Sequence, residues 1–561
     1  MSLSLQAFAP AALLLLGAIA LLWRPSATLF VLVQVATLGA LLRLSQLSAA
    51  TLSVPVYDPL QDVPLVLRLD RLSLFFATAA VAAALLVALP WVGDRNRRLP
   101  LGWLVLAEFG AVGGMLAGNL QGLAAGWGVY VTALLLLVLV PEPAGRGVGR
   151  LPTAVTRTLV VQMAGAALVL LAAVTIEALT GTANYDAVPV AGIDGPTQVL
   201  LVAAPVLALA TLAGLQRACR QPAVSAVMVT AVVLPLAGYT LARTVDLAEG
   251  RALRSPAGAG LVAAAAVGAT LFGLYAVWAP DLGSAIARLL NALGLLLVAT
   301  YAVGGSGALV ALLVGFMSLE VVAGAALVLV DAAGGRLPGA AAVPRWLLAI
   351  LALSPLAGLG GLVLAMGLDT RLLFVRAILD HGGAWIVLAV PLVAAWMAIL
   401  AGAVAAGRFG GGRASGRRGV IQLGLAAAAL AGLEAGAPAL RDIAVVLSAS
   451  ATRAPAADVR SSAAAAVPGS LLGLGLLALV MTVLVVAASR RDFYDGADGL
   501  RLAPDVLPPA MAVTPEIAAR TIFARGEARG RAALAIAAVH PRWSTTLAWL
   551  AAIVVVVFAA R

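Results

Sequence analysis

The chain has 561 residues, of which 63% are hydrophobic and only 11% are charged, and its mean hydropathy is +1.06. This composition excludes an ordinary soluble domain and indicates a membrane protein. All 36 basic residues are arginines, and we attribute the net charge of +11 to arginine-rich loops of a membrane protein rather than to nucleic-acid binding.

Sixteen apolar segments are long enough to cross a membrane as helices. A hydrocarbon core of about 30 Å needs roughly 20 apolar residues per helix, and strand-like alternation is missing from the chain. We therefore predict an all-α polytopic membrane protein with about 14–16 transmembrane helices. No basic stretch precedes the first segment, which we interpret as a retained helix rather than a signal peptide. The segments lie near residues 7–23, 27–44, 71–93, 100–119, 121–141, 157–179, 196–217, 223–243, 258–279, 283–303, 307–331, 345–366, 383–406, 419–437, 468–488 and 543–560.

Two units of five helices follow the N-terminal helices 1–3, which occupy residues 1–99. The units span residues 100–243 and 258–406, and each has a proline in its fourth helix, Pro205 in the seventh and Pro355 in the twelfth. Inverted five-helix repeats with one broken helix each are a transporter architecture. We predict two such repeats with broken helices 7 and 12, followed by C-terminal helices in residues 407–488.

The distribution of arginine predicts how the chain is oriented in the membrane. Loops after odd-numbered segments are rich in arginine, and arginine collects in cytoplasmic loops. We therefore expect a bacterial inner-membrane protein with both termini in the periplasm and residues 489–542 in the cytoplasm. Thr514, Pro515 and Glu516 open an amphipathic helix there, followed by a final anchor span at 543–561. A solvated connector is the alternative, because Gly526 and Gly530 weaken the helix.

No cofactor or catalytic chemistry is predicted from the residues. A single cysteine, Cys219, excludes an internal disulfide, and the two histidines, His381 and His540, are too far apart for a haem or zinc site. Nucleotide loops, flavin fingerprints and Ser/His/Asp sets are also missing. We expect no catalytic residue, no metal and no cofactor in this chain, so any redox chemistry would belong to other subunits.

Four motifs resemble signatures of one membrane-protein family. They are LDRLSLFF at 69–76, QPAVSAVMVTAVVLPLAGYTLAR at 221–243, APDLGSAIARLLNALG at 279–294 and SPLAGLGGLVLAMGLDTRLLF at 354–374. In this order and at this spacing they resemble the antiporter-like membrane subunits of respiratory complex I, of Mrp cation/proton antiporters and of membrane-bound hydrogenases. The resemblance implies the repeat fold and two half-channels, and it makes Pro222, in the turn before the eighth helix, a third predicted helix break.

The chain departs from this family at the positions that the resemblance implies for proton transfer. The family's ionisable residues are replaced by uncharged ones at Gly128 in the fifth helix, Val229 in the eighth, Gly283 and Ser284 in the tenth, and near Leu319 and Ala323 in the eleventh. Residues 198–213 carry no charge where the seventh helix would hold a lysine. The family's lysine near the end of the twelfth-helix motif is replaced here by another basic residue, Arg371. Because a buried lysine can release its proton whereas arginine cannot, we interpret the proton path as degenerate.

Several polar side chains remain candidates for function. An intramembrane carboxyl is a candidate proton carrier, and Glu108 and Glu320 lie in the middle of predicted spans; the alternative is a neutral acid that serves packing. Arg288 and Asn291 lie on one face of the tenth helix, and we expect Arg288 to pair with Asp281 or Glu320. The interface candidates, toward partner subunits or lipids, are Arg217, Arg220 and Arg371; for the first two the alternative is a cytoplasmic membrane anchor.

Two functions follow, and the sequence leaves both open. The first is a membrane-arm subunit of a complex-I-like proton-translocating redox complex of a respiratory chain, NADH-quinone oxidoreductase-like or hydrogenase-like. It would have a mainly scaffold role, with other membrane subunits and lipids as partners and no nucleic acid. The second is a self-standing or two-subunit proton/ion-coupled transporter that uses the intramembrane glutamates.

Overall fold

The computed structural model describes most of the chain up to residue 464. It covers residues 3–47, 52–57, 65–91, 99–139, 153–185, 188, 195–219, 221–248, 256–334, 355–356, 358–360, 371, 373–374, 376–378, 387–406, 416–452 and 455–464. These belong to the first of two units, Met1–Leu471 with Ala560–Arg561; the second, Leu472–Ala559, lies outside the described residues. So do the spans predicted at 468–488 and 543–560, the helix predicted within 489–542 and most of the span predicted at 345–366.

The described elements follow one another as helices with one β-hairpin. In chain order they are α1 (Leu3–Trp23), α2 (Ala27–Leu47), β1 (Leu52–Tyr57), β2 (Leu65–Leu69), α3 (Arg71–Ala88), α4 (Leu101–Leu116), α5 (Leu120–Leu139), α6 (Thr153–Thr180), α7 (Gly195–Ala210), α8 (Leu212–Ala218), α9 (Pro222–Val227), a π-helical turn (Met228–Val233), α10 (Leu234–Leu247), α11 (Pro256–Val277), α12 (Leu282–Val303), α13 (Gly305–Gly334), α14 (Ala389–Ala406), α15 (Gly416–Ala435), α16 (Ala437–Thr452) and α17 (Ala456–Ala464).

The helices form a multi-pass membrane bundle, which confirms the predicted all-α polytopic class. Among the described residues, nine helices are long and apolar enough to cross a bilayer, or ten if the bent pair Pro196–Ala210 and Leu212–Ala218 is one span. The continuous helix Pro222–Leu247 is the central one, because its apolar window is 100% buried. The corresponding values are 33% for Gln6–Trp23 and 28% for Ala27–Gln46, so the first two helices lie at the periphery. The inverted repeats remain a prediction.

The β-hairpin adds two short strands that the sequence pattern does not predict. Strands β1 and β2 pair antiparallel, with Leu52 opposite Leu69 and Pro55 opposite Val66, and the register shifts between Pro55 and Tyr57. Each strand is only five or six residues long, so its alternation is lost between the long apolar helices. The hairpin lies between α2 and α3, at the end of the bundle where α4 and α5 also meet.

Helices α16 and α17 were also not predicted, since the sequence analysis places no helix between residues 437 and 468. Helix α16 buries one narrow stripe of residues and exposes the rest, including Asp442 and Ile443. Such an amphipathic helix has a lower mean hydropathy than a membrane span. A search for continuous apolar runs therefore does not find it.

Glycines bring α4 and α5 into close contact. A Cβ atom added to Gly126 would lie 2.5 Å from Gly114 Cα and 2.6 Å from the Gly110 carbonyl oxygen. Gly110 and Gly114 are four residues apart and share one face of α4. Small residues allow membrane helices to pack at backbone contact, so this pair of helices has no room for a larger side chain.

We expect Gly126→Ala to lower the free energy of unfolding by about 1–3 kcal/mol, because the new methyl group meets backbone atoms that cannot rotate away. The matched control is Gly128→Ala on the same helix, where an added Cβ would meet no atom within 4 Å. Alanine is favoured over glycine inside a helix by roughly 0.5–1 kcal/mol, so the control should be neutral or stabilising. Steric-trapping measurements in bicelles would compare the two, and equal effects would contradict the packing argument.

Candidate functional site

A buried arginine binds four polar side chains near the hairpin end of the bundle. Arg243, on α10, is 1% exposed. Its Nη2 donates to Asp70 Oδ2 at 2.7 Å and to Ser73 Oγ at 3.0 Å. Its Nη1 donates to Asp246 Oδ2 at 2.6 Å, and its Nε to Tyr239 Oη at 3.0 Å. We call Arg243 and these four partners the Arg243 cluster. Each guanidinium nitrogen donates at least one hydrogen bond, and two carboxylates neutralise the buried charge.

Asp70 connects two of the sequence motifs within this cluster. It is the N-cap of α3, and its Oδ1 accepts a hydrogen bond from the Ser73 amide at 2.7 Å. Its other oxygen pairs with Arg243, and Arg68 Nε lies 2.9 Å from that same oxygen. An N-cap aspartate stabilises the first turn of a helix. Thus the LDRLSLFF motif supplies the carboxylate, and the motif that ends in LAGYTLAR supplies the cation.

Loops from distant parts of the chain close over the cluster. The Arg243 guanidinium carbon lies 4.9 Å from the Tyr185 ring centroid, within the range of a cation–π contact. The Tyr185 amide donates to the Gly118 carbonyl at 3.0 Å, and the Gly118 amide donates to the Val66 carbonyl at 2.7 Å. The hairpin, the α4–α5 turn and the loop after α6 all follow even-numbered predicted spans. They meet at one end of the bundle, as alternating membrane crossings require.

Burial and charge shift the ionisation of groups outside the spans. Burial opposes ionisation of Asp70, but Arg243, the Ser73 amide and Arg68 together outweigh it and hold the pKa of Asp70 below 3.8. Burial raises the pKa of Tyr185 well above its ordinary value. Burial also raises the pKa of the Cys219 thiol to about 12, so this cysteine stays protonated and unreactive at neutral pH.

We expect Asp70 to make the folded state sensitive to acid. Its pKa is lower in the folded protein than the ordinary value of 3.8, so its contribution is present above that pH and is lost as pH falls through the folded-state pKa. In detergent, the apparent melting temperature should fall below about pH 4, and Asp70→Asn should weaken this acid-dependent part. The control is Asp442→Asn, whose side chain is 70% exposed. An unchanged acid dependence in Asp70→Asn would contradict the assignment.

The predicted break in the seventh helix exists, but it lies at Thr211 rather than at Pro205. Helix α7 continues through Pro205, and α7 and α8 meet at an angle of 55°. Asn291 Nδ2 donates to the Ala210 carbonyl at 3.0 Å, and its Oδ1 accepts from the Ala213 amide at 2.9 Å. A helix kinks where a side chain inserts into its hydrogen-bond ladder, so the amide of Asn291 sets the position of the break.

The other two predicted helix-break prolines behave differently. Pro222 is at the start of α9, after the turn that contains Cys219. Proline is favoured at the first helical position because its missing N–H has no partner there, so Pro222 begins a helix instead of breaking one. Pro355 is helical and buried in a short described stretch, and the break in the twelfth helix remains a prediction.

The two intramembrane glutamates are buried on different helices. Glu108 on α4 is 0% exposed, and Gln34 Nε2 on α2 donates to its Oε2 at 2.5 Å. Glu320 on α13 is 5% exposed, and neither of its carboxyl oxygens has a hydrogen-bond partner among the described residues. The two carboxyls therefore differ: one is fixed by an amide, and the other is held only by packing.

The π-helical turn Met228–Val233 lies between the helices that carry these glutamates. Both α4 and α13 contact it, and all six of its residues are buried. Val229, where the resemblance places a histidine, is 0% exposed. The turn has one side-chain hydroxyl, on Thr230, which donates to the Ala226 carbonyl at 2.8 Å. An apolar element thus occupies the space between the two carboxyls' helices.

The remaining predicted positions are spread over the bundle. Arg288 forms no ion pair with Asp281 or Glu320, which corrects the expectation; its Nη1 donates a hydrogen bond to the Tyr275 carbonyl instead. Asp281 is the N-cap of α12, where its side chain accepts from the Ser284 amide. Gly128 faces open space, and a Cβ at Gly283 would lie 3.3 Å from Asp281 Oδ1.

The interface candidates differ in exposure. Arg217 is exposed in the last turn of α8, as an interface residue requires, and Arg220 lies outside the described residues. Arg371 lines a cleft and is partly exposed, and its place at a subunit interface stays a prediction.

The contacts of Arg243 with Asp70 and of Glu108 with Gln34 are not predicted from the sequence, because the partners lie far apart along the chain. The sequence motifs contain both Asp70 and Arg243, and Asp70 directly before an apolar helix is a recognisable N-cap signal. The partners are 173 residues apart, and nothing local indicates that they meet. Gln34 likewise has no local signal that links it to Glu108, 74 residues away.

Comparisons with known proteins give the fold. No family model and no curated protein matches the chain. The Mrp complex from Dietzia sp. DQ12-45-1b has a similar structure, with a TM-score of 0.72 and 19% identity over 96% of this chain and 62% of that one. The membrane-bound sulfane sulfur reductase, an archaeal respiratory membrane complex, has a TM-score of 0.59 and 16% identity over 76% of this chain and 74% of that one. The chain thus spans less than two thirds of the Dietzia chain, and it shares its fold with chains of these two membrane complexes.

Proposed function

We propose that this protein is a membrane subunit of a multi-subunit, complex-I-like proton-translocating complex, in which it acts mainly as a scaffold with a degenerate proton path. Its fold is similar to that of chains in the Mrp complex and in an archaeal respiratory membrane complex. The observation that carries the proposal is the apolar π-helical turn Met228–Val233 between the helices of Glu108 and Glu320. Redox chemistry would belong to NADH-quinone oxidoreductase-like or hydrogenase-like partners.

Proton transfer between two carboxyls needs a chain of hydrogen-bonded groups or waters between them. The turn offers a single hydroxyl, and that hydroxyl already donates to a carbonyl of its own helix. Water is stable in a buried cavity only where polar groups can hold it. The side chains on both sides of Thr230 are valine and alanine, so this part of the bundle favours an interrupted path.

The contacts of Glu108 suit a structural role. A neutral carboxylic acid is far less costly to bury than a carboxylate, and Gln34 supplies a hydrogen bond between α2 and α4. Hydrogen bonds of this kind stabilise the association of membrane helices by roughly 0.6–2 kcal/mol. Glu108 would therefore attach the peripheral helix α2 to the bundle.

We propose other membrane subunits and lipids as partners, in a bacterial inner membrane with both termini periplasmic. The peripheral helices α1 and α2 expose large apolar side chains, among them Leu16 (65%) and Leu32 (59%), which suits either lipid or a neighbouring subunit. Arg217 lies at the opposite end of the bundle from the hairpin. Its position fits a cytoplasmic contact with a lipid phosphate or with an acidic partner group.

The double variant Glu108→Gln/Glu320→Gln in the native host tests this function. Glutamine keeps the shape and hydrogen bonding of a neutral carboxylic acid but cannot carry a proton. We expect the complex to assemble in mild detergent and to retain wild-type proton translocation in membrane vesicles. The matched control is Glu434→Gln, which makes the same change at a partly buried glutamate near the end of α15, away from the π-helical turn. Loss of proton translocation with intact assembly would overturn the scaffold role.

A self-standing or two-subunit transporter is the second candidate, and Glu320 favours it. Neither of its carboxyl oxygens is engaged by a described residue, so both are available to an entering water or cation. Purified protein reconstituted alone into liposomes with an internal pH dye distinguishes the two. If the protein is a scaffold, an ion gradient should cause no change of pH inside these liposomes. A pH change that Glu320→Gln abolishes would support the transporter instead.

A further inference from the structure

A cleft lies among α12, α13, α14 and the described stretch around Arg371. Its volume is about 70 Å³, and its walls are mainly apolar, with Leu293 and Leu297 on one side and Phe374 and Trp396 on another. Ser318 on α13 also lines it. At about 10–15 Å³ for each water-sized sphere, the cleft has room for a small ion with a few waters.

Arg371 places a permanent positive charge in this apolar cleft. Its Nη2 donates to the Gly360 carbonyl at 2.7 Å, and its guanidinium carbon lies 5.8 Å from the Trp396 ring centroid. A guanidinium has five N–H donors and does not lose its proton in proteins. Among the described residues no carboxylate forms an ion pair with Arg371. Within the part of the chain that the structure describes, the charge is therefore not paired as that of Arg243 is, and it cannot be removed by deprotonation.

The cleft lies beside the midpoints of two helices that are long enough to span the membrane. Leu293 is halfway along α12 (Leu282–Val303), and Ser318 is halfway along the span Gly305–Asp331. At 1.5 Å per residue, Leu293 lies roughly 16 Å and Ser318 roughly 20 Å from the ends of these segments. A lipid phosphate stays near the membrane surface, so a headgroup is too far away to neutralise Arg371.

We propose that the cleft binds one small monovalent inorganic anion, such as chloride, against Arg371. The hydroxyl of Ser318, which has no hydrogen-bond partner among the described residues, is the second donor. The anion neutralises a charge that is costly in the bilayer interior, and the apolar walls exclude a large or strongly hydrated ion. This site goes beyond the scaffold function and does not depend on it.

Binding of ³⁶Cl⁻ to the purified, delipidated full-length protein tests the site. We expect saturable binding of one chloride per chain, lost or weakened at least about tenfold in Arg371→Gln and weakened in Ser318→Ala. Arg217→Gln, at an exposed arginine, is the matched control and should bind as the wild type does. The apparent melting temperature should also rise with chloride when gluconate keeps the ionic strength constant.

If Arg371→Gln does not fold, Arg371→Lys still tests the site. Lysine keeps the positive charge, so this variant should retain saturable but weaker chloride binding. Wild-type protein that binds none of chloride, bromide or nitrate saturably would overturn the proposal. So would Arg371→Gln binding chloride as the wild type does. Displacement of chloride by an added anionic phospholipid would assign the cleft to a lipid phosphate instead.

Discussion

Replacing Arg243 by methionine is expected to lower the free energy of unfolding by about 3–5 kcal/mol. Methionine fills much of the same volume but leaves Asp70 and Asp246 without the cation that neutralises them. Asp70 would keep only its contacts with the Ser73 amide and Arg68. Removing one member of a buried ion pair is costly chiefly because the other charge stays buried.

The size of this loss depends on the charges left behind, and a combined variant measures that dependence. Adding Asp70→Asn and Asp246→Asn to Arg243→Met removes both orphaned carboxylates, so we expect a substantial part of the stability to return. Arg460→Met is the control, because the Arg460–Asp442 pair is 64% and 70% exposed, and its loss should change stability by less than about 1 kcal/mol. Steric trapping in bicelles reports these free energies. If Arg243→Met had no larger effect than Arg460→Met, the cluster would have no stabilising role.

The membrane helices were predictable because each is a continuous apolar run. The tenth span, predicted at 283–303, is helix α12 at Leu282–Val303. Its boundaries follow local signals, an N-cap aspartate and a C-terminal glycine with positive φ. The hairpin and α16 were not predicted, because the strands are short and α16 is amphipathic. Hydropathy detects elements that are apolar on all sides, and these elements are apolar on one side only.

The polar contacts were less predictable, since they join residues that are distant in sequence. Glu108 and Glu320 were identifiable as buried carboxyls inside spans, but their surroundings were not. Pro205 was a reasonable candidate for the helix break because it lacks an amide, yet its helix continues because membrane helices tolerate proline. The bend is placed by Asn291, which lies 81 residues from the carbonyl that it contacts. Such a contact depends on how α7, α8 and α12 pack, and no local pattern contains that information.

Asn291→Leu is expected to lower the free energy of unfolding by about 2–4 kcal/mol. The Ala210 carbonyl and the Ala213 amide lie where the helical ladder is interrupted, and Asn291 pairs with both. Leucine has a similar size but leaves both part-buried backbone groups without this partner, at roughly 1–3 kcal/mol each before relaxation. Amide hydrogen exchange at Ala213 should also become faster in this variant. Thr132→Val is the control, since the Thr132 hydroxyl is exposed and bonds to a carbonyl of its own helix.

Asn291→Asp separates the two hydrogen bonds, because an aspartate can still accept from the Ala213 amide but, when ionised, cannot donate to the Ala210 carbonyl. We expect it to lose stability at neutral pH, where a carboxylate would be buried, and to recover part of it in acid as the side chain becomes a neutral donor. Asn291→Leu offers no such recovery. If both variants had wild-type stability, the bend would be set by packing alone. If they behave as expected, a neutral amide holds the broken helix in place without any ionisable group, as a scaffold without a continuous proton path requires.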